Sequence, residues 1–319
     1  MRTIATLTMN PTVDISANLD QVLAEHKLRC WNPRHEPGGG GINVSRVIQR
    51  LGGTSVALYS YGGCSGRLLQ DLLDQEGLDA QPIRLADSTR ENIVILEENS
   101  GRQFRFVMPG PQVAEEEWRS CLDTLAHLQP TPDFLVASGS LPPGVPEDFY
   151  ARVARLSQDL KAHLILDTSG NPLRLAASTG VFLLKPNMRE LGDLAGRAIE
   201  NETDLKEVAQ ELIGSARCKV VVVSLGAAGA VLVSPHGIER VPAPTVPIKS
   251  KVGAGDSMVG GIVLSLARRR PLREAVRFGV AAGAAAVMTP GTELCHRDDT
   301  ERLYAGMVTD SETPTSGGA

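Results

Sequence analysis

The sequence predicts an α/β fold: a mainly parallel sheet covered by helices on both faces, in three α/β/α layers, with a small β-sheet lid outside it. Three observations carry this. Short apolar runs rich in Val, Ile and Leu alternate with stretches whose apolar residues recur at helical spacing, the pattern of repeated right-handed βαβ crossovers. Two glycine-rich segments, Gly38 to Gly41 and Gly253-Ala254-Gly255, each stand directly before such a helical stretch. One pair of β-like segments, 92–97 and 103–108, joined through Asn99-Ser100-Gly101, interrupts the alternation with a hairpin signal.

In chain order, Met1 to Thr8 reads as the first strand and Asn10-Pro11-Thr12-Val13-Asp14 as a turn, while residues 15–31 carry no clear helical period. Behind the first glycine loop, Val44, Val47, Ile48 and Leu51 share a helix face, and Gly52-Gly53 stops that helix. A strand at 56–61 and a helix around Leu68, Leu69, Leu72 and Leu73 follow. The 92–108 hairpin and residues 13–31 together suggest the small outer sheet. The rhythm then resumes with helix 114–127, strand 134–137, helix 147–161, strand 164–166 and strand 181–184, which Lys185-Pro186-Asn187 ends because proline cannot continue the ladder. Helix 204–213, strand 220–223 and a hairpin over 230–241 lead to the second glycine segment and its apolar helix. The alanine-rich stretch 273–288 reads as closely packed core, the charged residues after Cys295 as a loop, and 309–319, rich in Ser, Thr, Gly and Pro, as a frayed tail.

With 319 residues, 42% hydrophobic and 22% charged, the chain is long enough to bury a large core, and its length suggests about two domains. The formal charge of -5 gives no footing for nucleic acid or an anionic membrane as partner. Five widely spaced cysteines without a Cys-x-x-Cys fit reduced thiols in a cytoplasm better than a disulfide framework or a zinc site. No uncharged apolar run reaches the ~18 residues of a membrane span.

Several signatures of other chemistries fail. Met258 stands where a dinucleotide fingerprint needs glycine, and no Walker loop occurs. His296-Arg297-Asp298 lacks the asparagine of a protein-kinase catalytic loop, because Leu303 occupies that place. Cys295, His296, Asp298 and Asp299 form no closed ligand set.

What remains points to an anion site. Two glycines in Val252-Gly253-Ala254-Gly255-Asp256-Ser257 let the backbone approach a ligand, and the helix behind them presents peptide N–H groups without internal partners. Asp256 adds a carboxylate able to accept a proton, so phosphoryl transfer is the chemistry expected, although a glycine turn with a capping aspartate would also account for this stretch alone. Asn187 and Glu190, three residues apart, could hold a hydrated Mg²⁺ or cap a helix. Lys27, Arg90 and Arg105, in or near the lid segments, are of the type that grips a substrate phosphate. Ser140, Asn187, Gly226 and Asp256 all follow predicted strands and can share one crevice beyond their carboxyl ends.

Two of these motifs, Gly38-Gly39-Gly40-Gly41-Ile42-Asn43-Val44 and Val252 to Ser257, resemble the two signatures of the PfkB (ribokinase-like) family of sugar kinases, and the resemblance runs from Thr6 to about Tyr304. Lys27-Leu28-Arg29-Cys30, the four-glycine loop, Arg105 to Gly110 and Ser138 to Gly144 look like its bacterial minor-type 6-phosphofructokinase branch. The resemblance implies an ATP-dependent kinase that acts on fructose 6-phosphate, with tagatose 6-phosphate or fructose 1-phosphate as alternative substrates. Gly39-Gly40-Gly41 lacks the lysine common in 1-phosphofructokinases. A catalytically silent sugar-phosphate sensor is the rival from another class, disfavoured by the intact Asp256.

By the same resemblance Asp256 is the base, and Gly253, Ala254 and Gly255 form the anion hole. Asp14, Gly39, Gly40, Asn43 and Ser140 are placed at the sugar, and Lys27, Arg90 and Arg105 at its phosphate. Lys185, Asn187, Ser224, Gly226 and Gly229 would bind ATP, with Asn187 and Glu190 at Mg²⁺ through water. The expected organisation is one kinase domain over 1–308, whose lid (about 13–31 and 90–108) pairs two copies into a homodimer, followed by the tail. At 288–293, Met-Thr-Pro-Gly-Thr-Glu departs from the family's Asn-Gln-Gly-Thr-Arg pattern, which leaves K⁺ activation open.

Overall fold

The computed structural model describes residues 2–215 and 217–312. Its elements, in order, are β1 (Ile4–Thr8), β2 (Thr12–Leu19), β3 (Trp31–Gly38), α1 (Gly40–Arg50), β4 (Val56–Tyr61), α2 (Gly63–Gln75), β5 (Ala80–Arg84), β6 (Arg90–Glu97) and β7 (Arg102–Phe106). Then come α3 (Glu115–Ala126), β8 (Phe134–Ser138), α4 (Phe149–Asp159), β9 (His163–Asp167), α5 (Gly170–Ala177), β10 (Val181–Leu184), α6 (Met188–Ala195), α7 (Glu202–Gly214) and β11 (Cys218–Ser224). The chain continues through β12 (Ala230–Ser234), β13 (Gly237–Val241), α8 (Ala254–Ala267), α9 (Leu272–Val287) and α10 (Arg297–Glu312).

Nine strands make the main sheet, in the order β13-β12-β11-β10-β9-β8-β1-β4-β5, parallel except for the β11-β12-β13 meander. Strand alternation divides the core into two layers. In β8, Leu135 and Ala137 pack against α3 to α7 on one face, and Phe134 and Val136 face the layer of α1, α8 and α9 on the other. Helix α8 is apolar nearly all round and accordingly buried nearly all round, between α1 and α9.

The lid is a separate sheet of four strands, β3-β2-β6-β7, in which β2 and β6 run parallel while the outer pairs are antiparallel. Its register sets what each face does. Thr12 pairs with Arg90, Asp14 with both Asn92 and Glu36, and Val94 with Arg105, so these polar side chains share one face. On the opposite face Val13 packs with Ile42, Tyr59, Leu69 and Leu73, and Ala17, Leu19 and Ile95 form a small outer cluster with Trp31 and Phe104. The join between lid and core is braced from behind by Arg46 of α1, which is 2% exposed. Its Nη1 donates to the Pro37 carbonyl at 2.9 Å, and Nε and Nη2 fork onto Glu76 at 2.7 and 2.5 Å.

Several expectations need correction. The turn expected at 10–14 gives way at Thr12 to β2, and the lid's first segment runs past residue 31 through β3 to Gly38. Pro33 and Pro37 hide β3 from a strand reading, because proline removes ladder donors; β3 is an edge strand, where that is tolerated. The same holds for β5, an edge strand containing Pro82, which the sequence reading passed over. The supposed charged loop after Cys295 is largely α10, with Asp298 and Asp299 in its first turn, where the helix dipole favours them, and Leu303, Tyr304 and Met307 against the core. Residues 309–312 of the expected tail belong to that helix, and the remainder lies outside the described residues.

Candidate active site

Because β1, β8, β9, β10 and β11 are parallel, the segments after them open on one edge of the sheet, which brings Asn10, Ser140, Asp167, Lys185, Asn187 and Ser224 to one crevice. Helix α8 starts there. Gly253 caps it with φ of 74°, a left-handed conformation, and a Cβ at that position would come within 2.6 Å of Leu294. The first helical hydrogen bond, Ser257 N–H to the Gly253 carbonyl at 2.8 Å, leaves the N–H groups before it outside the helical ladder.

Asp256 lies in this first turn and accepts a 2.9 Å hydrogen bond at Oδ2 from Nδ2 of Asn43 on α1. Burial pushes its carboxyl up to about 7, helped by the negative charge of Asp167 and, more weakly, of Asp14; the Asn43 hydrogen bond and the Lys185 ammonium oppose the rise. That value suits a general base near neutral pH. Lys185, 6% exposed, lies opposite, so that a Cβ on Gly255 would come 3.7 Å from its Nζ. Its ammonium pairs with Asp167 Oδ1 at 3.0 Å. Burial alone would lower the Lys185 pKa, but Asp167, then Glu190 and Asp256, outweigh it, and the pKa is raised. Lys185 therefore stays charged, a buried cation beside the Gly253–Gly255 turn.

The lid face above carries the sugar-side candidates. Gly38 leaves room for the Asp14 carboxylate: a Cβ there would meet its Oδ2 at 2.3 Å. Burial raises the Asp14 pKa against the lowering effect of the Asn92 hydrogen bond, 3.0 Å from Nδ2 to Oδ1. Gly39 and Gly40 bring the loop against Thr8 and Ser138, at the ends of β1 and β8. Ser140 Oγ accepts from Nδ2 of Asn10 at 3.1 Å. Arg90 departs from a simple phosphate clamp, since its guanidinium already donates to the carbonyls of Asn10 (3.0 Å), Met108 (3.2 Å) and Pro11 (3.4 Å), and so braces the base of the lid. Arg105 shares the crevice-side face and is exposed; Lys27 sits on the exposed connection between β2 and β3.

On the other side of the anion-binding turn, a cavity of about 510 Å³ is lined by Ser224, Gly226, Gly229, Lys251, Ala254 and Gly255. Most of its remaining wall is apolar and includes Val246, Ile248, Val280, Ala284 and Val287, so the alanine-rich helix α9, expected to be core, also lines this cavity. Asn187 and Glu190 form a reciprocal capping box at the start of α6, each side chain accepting the other's backbone N–H at 2.9 Å. That arrangement uses Asn187 Oδ1 and Glu190 Oε2 and leaves Glu190 Oε1 outside the box. Asp167, Glu190 and Asp256 all act electrostatically on the Lys185 ammonium, while among the described residues no three Asp, Glu, His or Cys side chains cluster closely enough to hold a metal ion by themselves.

The sequence reading missed Asp167, Asn10 and Asn92. Asp167 was open to the rule that selected Ser140 and Asn187, since it ends a strand of the parallel sheet; Asn92 could be found only through the lid register.

Residues 7–299 match the model of the pfkB family carbohydrate kinases. The chain is 47% identical over 301 residues to the ATP-dependent 6-phosphofructokinase isozyme 2 of Mycobacterium tuberculosis, covering 94% of this chain and 88% of that one. Among solved structures it is similar to the phosphofructokinase-2 of Escherichia coli in complex with potassium, with a TM-score of 0.93 and 42% identity. The same enzyme in complex with fructose-6-phosphate matches with a TM-score of 0.91 and 41% identity, and each match covers 97% of this chain and 100% of the other. With two glycine motifs meeting at one crevice beneath a β lid and nearly the full length matched, the chain belongs to the pfkB family of carbohydrate kinases.

Proposed function

We propose that this chain is an ATP- and Mg²⁺-dependent 6-phosphofructokinase that moves the γ-phosphoryl group of ATP to the 1-hydroxyl of fructose 6-phosphate, giving fructose 1,6-bisphosphate and ADP. The observation that carries this is Asp256, held by Asn43 at the head of α8, facing Lys185 and lying beneath the lid face that bears Asp14 and Arg105. In the reaction the Asp256 carboxylate takes the hydroxyl proton as that oxygen bonds to phosphorus and the bond to the ADP oxygen breaks. The 253–255 backbone and the Lys185 ammonium stabilise charge on the transferred group, and the lid excludes water. Asp14, Gly39, Gly40, Asn43 and Ser140 orient the sugar, and Arg105 and Lys27 receive its phosphate, with the second N–H of Arg90 Nη1 and of Nη2, the first of each being engaged on a backbone carbonyl, beside them. The 510 Å³ cavity takes adenosine against its apolar wall, with Ser224, Gly226 and Gly229 at its rim.

Mg²⁺ bound here would neutralise phosphate charge, held through water by Asn187 and Glu190 with Asp167 close by. A K⁺ ion would draw on the carbonyls of Gly291 and Glu293, each of which accepts one hydrogen bond in the fold and keeps a second lone pair; the Val287 carbonyl already accepts two, from Lys249 and Ser250 N–H. Five free cysteines fit a reducing cytoplasm, and no helix among the described residues is long and apolar enough to cross a membrane.

The absence of lysine from Gly39-Gly40-Gly41 and the name of the 47%-identical relative favour fructose 6-phosphate over tagatose 6-phosphate and fructose 1-phosphate. A coupled ADP-release assay across the three sugar phosphates decides: fructose 6-phosphate is expected to show the highest kcat/KM. Turnover of none with Mg-ATP would leave a binding protein. Arg105→Ala is expected to raise KM for fructose 6-phosphate about tenfold or more, the worth of a charge-assisted hydrogen bond, with KM for ATP unchanged. An equal rise in both would remove Arg105 from the phosphate clamp.

Leu23, Leu28, Phe106, Val107 and Met108 are apolar, 38–62% exposed, and lie on the β2–β3 connection, at the end of β7 or directly after it. A second copy would cover them, so a homodimer is expected. Light scattering should give twice the 34.0 kDa chain mass, and Phe106→Glu should lower it; a wild-type monomer would defeat this reading.

A further inference from the structure

Glu36 is assigned to neither the anion-binding turn nor the nucleotide site, yet its side chain bridges the two halves of the crevice. It lies on β3 opposite Asp14, on the lid's crevice face, where its charge helps raise the Asp14 pKa. Its Oε2 accepts a hydrogen bond from Oγ1 of Thr292, 256 residues away in the connection between α9 and α10 and 7% exposed.

That connection is tied in turn to the anion-binding turn by two routes. The buried Ser250 hydroxyl donates to the Gly291 carbonyl at 2.6 Å and accepts from Val252 N–H at 3.2 Å, directly before Gly253. Leu294 packs against Gly253 so closely that a Cβ there would approach within 2.6 Å. Within the connection, the Thr289 hydroxyl contacts the carbonyls of Ala286 and Glu293, which keeps Thr292 presented to the lid.

We propose that Glu36 and Thr292 form a latch: the two residues position the reaction without touching reacting atoms, fastening lid strand β3 to the 288–296 connection so that lid placement over the sugar phosphate and the shape of the anion-binding turn are set together. Arg46 grips the neighbouring Pro37 carbonyl from behind, so β3 is held on one side by a buried ion pair and on the other by the latch. Of these two side-chain holds on β3, the latch is the one that spans the crevice to the anion-binding side. It is thus the weaker, releasable hold, and the one whose state both halves of the site share.

The inference rests on the kinase reading for its consequence and on Glu36–Thr292 geometry for its existence, and two measurements separate them. Hydrogen–deuterium exchange of the 31–38 segment needs no turnover: Thr292→Val is expected to speed exchange there by about tenfold, the worth of one hydrogen bond to a charged group. Thr292→Ser, which restores the hydroxyl, should return exchange to the wild-type rate. In steady-state kinetics Thr292→Val should lower kcat and raise KM for fructose 6-phosphate while KM for ATP stays within about twofold, the split of a residue acting through lid and turn together. Glu36→Ala combined with Thr292→Val should be no worse than the more damaging single change, because both remove one interaction. Unchanged exchange in Thr292→Val, or effects of the two substitutions that simply add, would overturn the latch. A silent wild-type enzyme with altered exchange in the variant would overturn the kinase reading and leave the latch standing.

Discussion

Asp256→Asn is expected to lower kcat by roughly 10²–10⁴-fold while leaving the binding of both substrates nearly unchanged, because it removes a proton acceptor used only as the new bond forms. The amide keeps size and polarity, so Asn43 retains a hydrogen-bond partner and the turn keeps its shape. The pH dependence makes the assignment sharper. A base with a pKa near 7 is active when deprotonated, so kcat/KM of the free enzyme should rise with pH through about 7 and level off above it. The stability linkage has the opposite sign. Asp256 starts from an ordinary carboxyl value of 3.8 when unfolded and reaches about 7 when folded, so between these values the native state binds the extra proton. Its effect on stability therefore becomes less favourable as pH rises from about 4 to 7, and above 7 the folded protein holds a carboxylate that burial disfavours. Asp256→Asn should accordingly unfold at a higher temperature than wild type at pH 8, with little difference at pH 4. Near-wild-type turnover in the coupled assay would remove Asp256 from the base role; a lower melting temperature at pH 8 would contradict its burial as an anion.

How far the sequence carried the site depends on whether each residue's signal was local. Gly38 to Asn43 and Gly253 to Asp256 are local: glycines that permit a close turn, followed at once by a helical run, can be read without knowing what faces them. Their meeting is not local. The hydrogen bond from Asn43 to Asp256 spans 213 positions and depends on α1 and α8 packing side by side. Asp167 was accessible from strand logic yet silent on its role, since only the fold shows that the Lys185 ammonium needs a partner. Asn187 and Glu190 carry a pattern with two physical meanings, a capping box and a magnesium–water site, and the first is formed without excluding the second. The lid was hardest to read. Its strands are polar on one face, β3 contains two prolines, and the pairing of β2 with β6 joins segments far apart in the chain. Residue type and position near the lid single out Arg90 and Arg105, and the resemblance adds Asp14, but only the register shows why those three share a face, and only the hydrogen bonds show that Arg90 braces the lid base.

Lys185→Met is expected to cause the second largest loss, a fall in kcat on the order of 10²–10³-fold, the scale of removing one preorganised charge from a developing anion. Three consequences separate a catalytic from a merely structural lysine. Lys185 holds the Asp256 pKa down, so without it the base should titrate higher and the rising limb of the kcat/KM profile should move to more alkaline pH. Its loss also strands the Asp167 carboxylate, whose ammonium partner lies 3.0 Å away, and breaking such a buried pair typically costs about 3–5 kcal/mol of stability. Adding Asp167→Asn to Lys185→Met removes the stranded charge, so the double variant should recover most of the lost melting temperature. Turnover should not return with it, because the amide cannot supply positive charge to the transferred phosphoryl group. If the double variant regained both stability and activity, Lys185 would serve only to neutralise Asp167, and the charge that stabilises phosphoryl transfer would have to come from the 253–255 backbone and the bound metal alone.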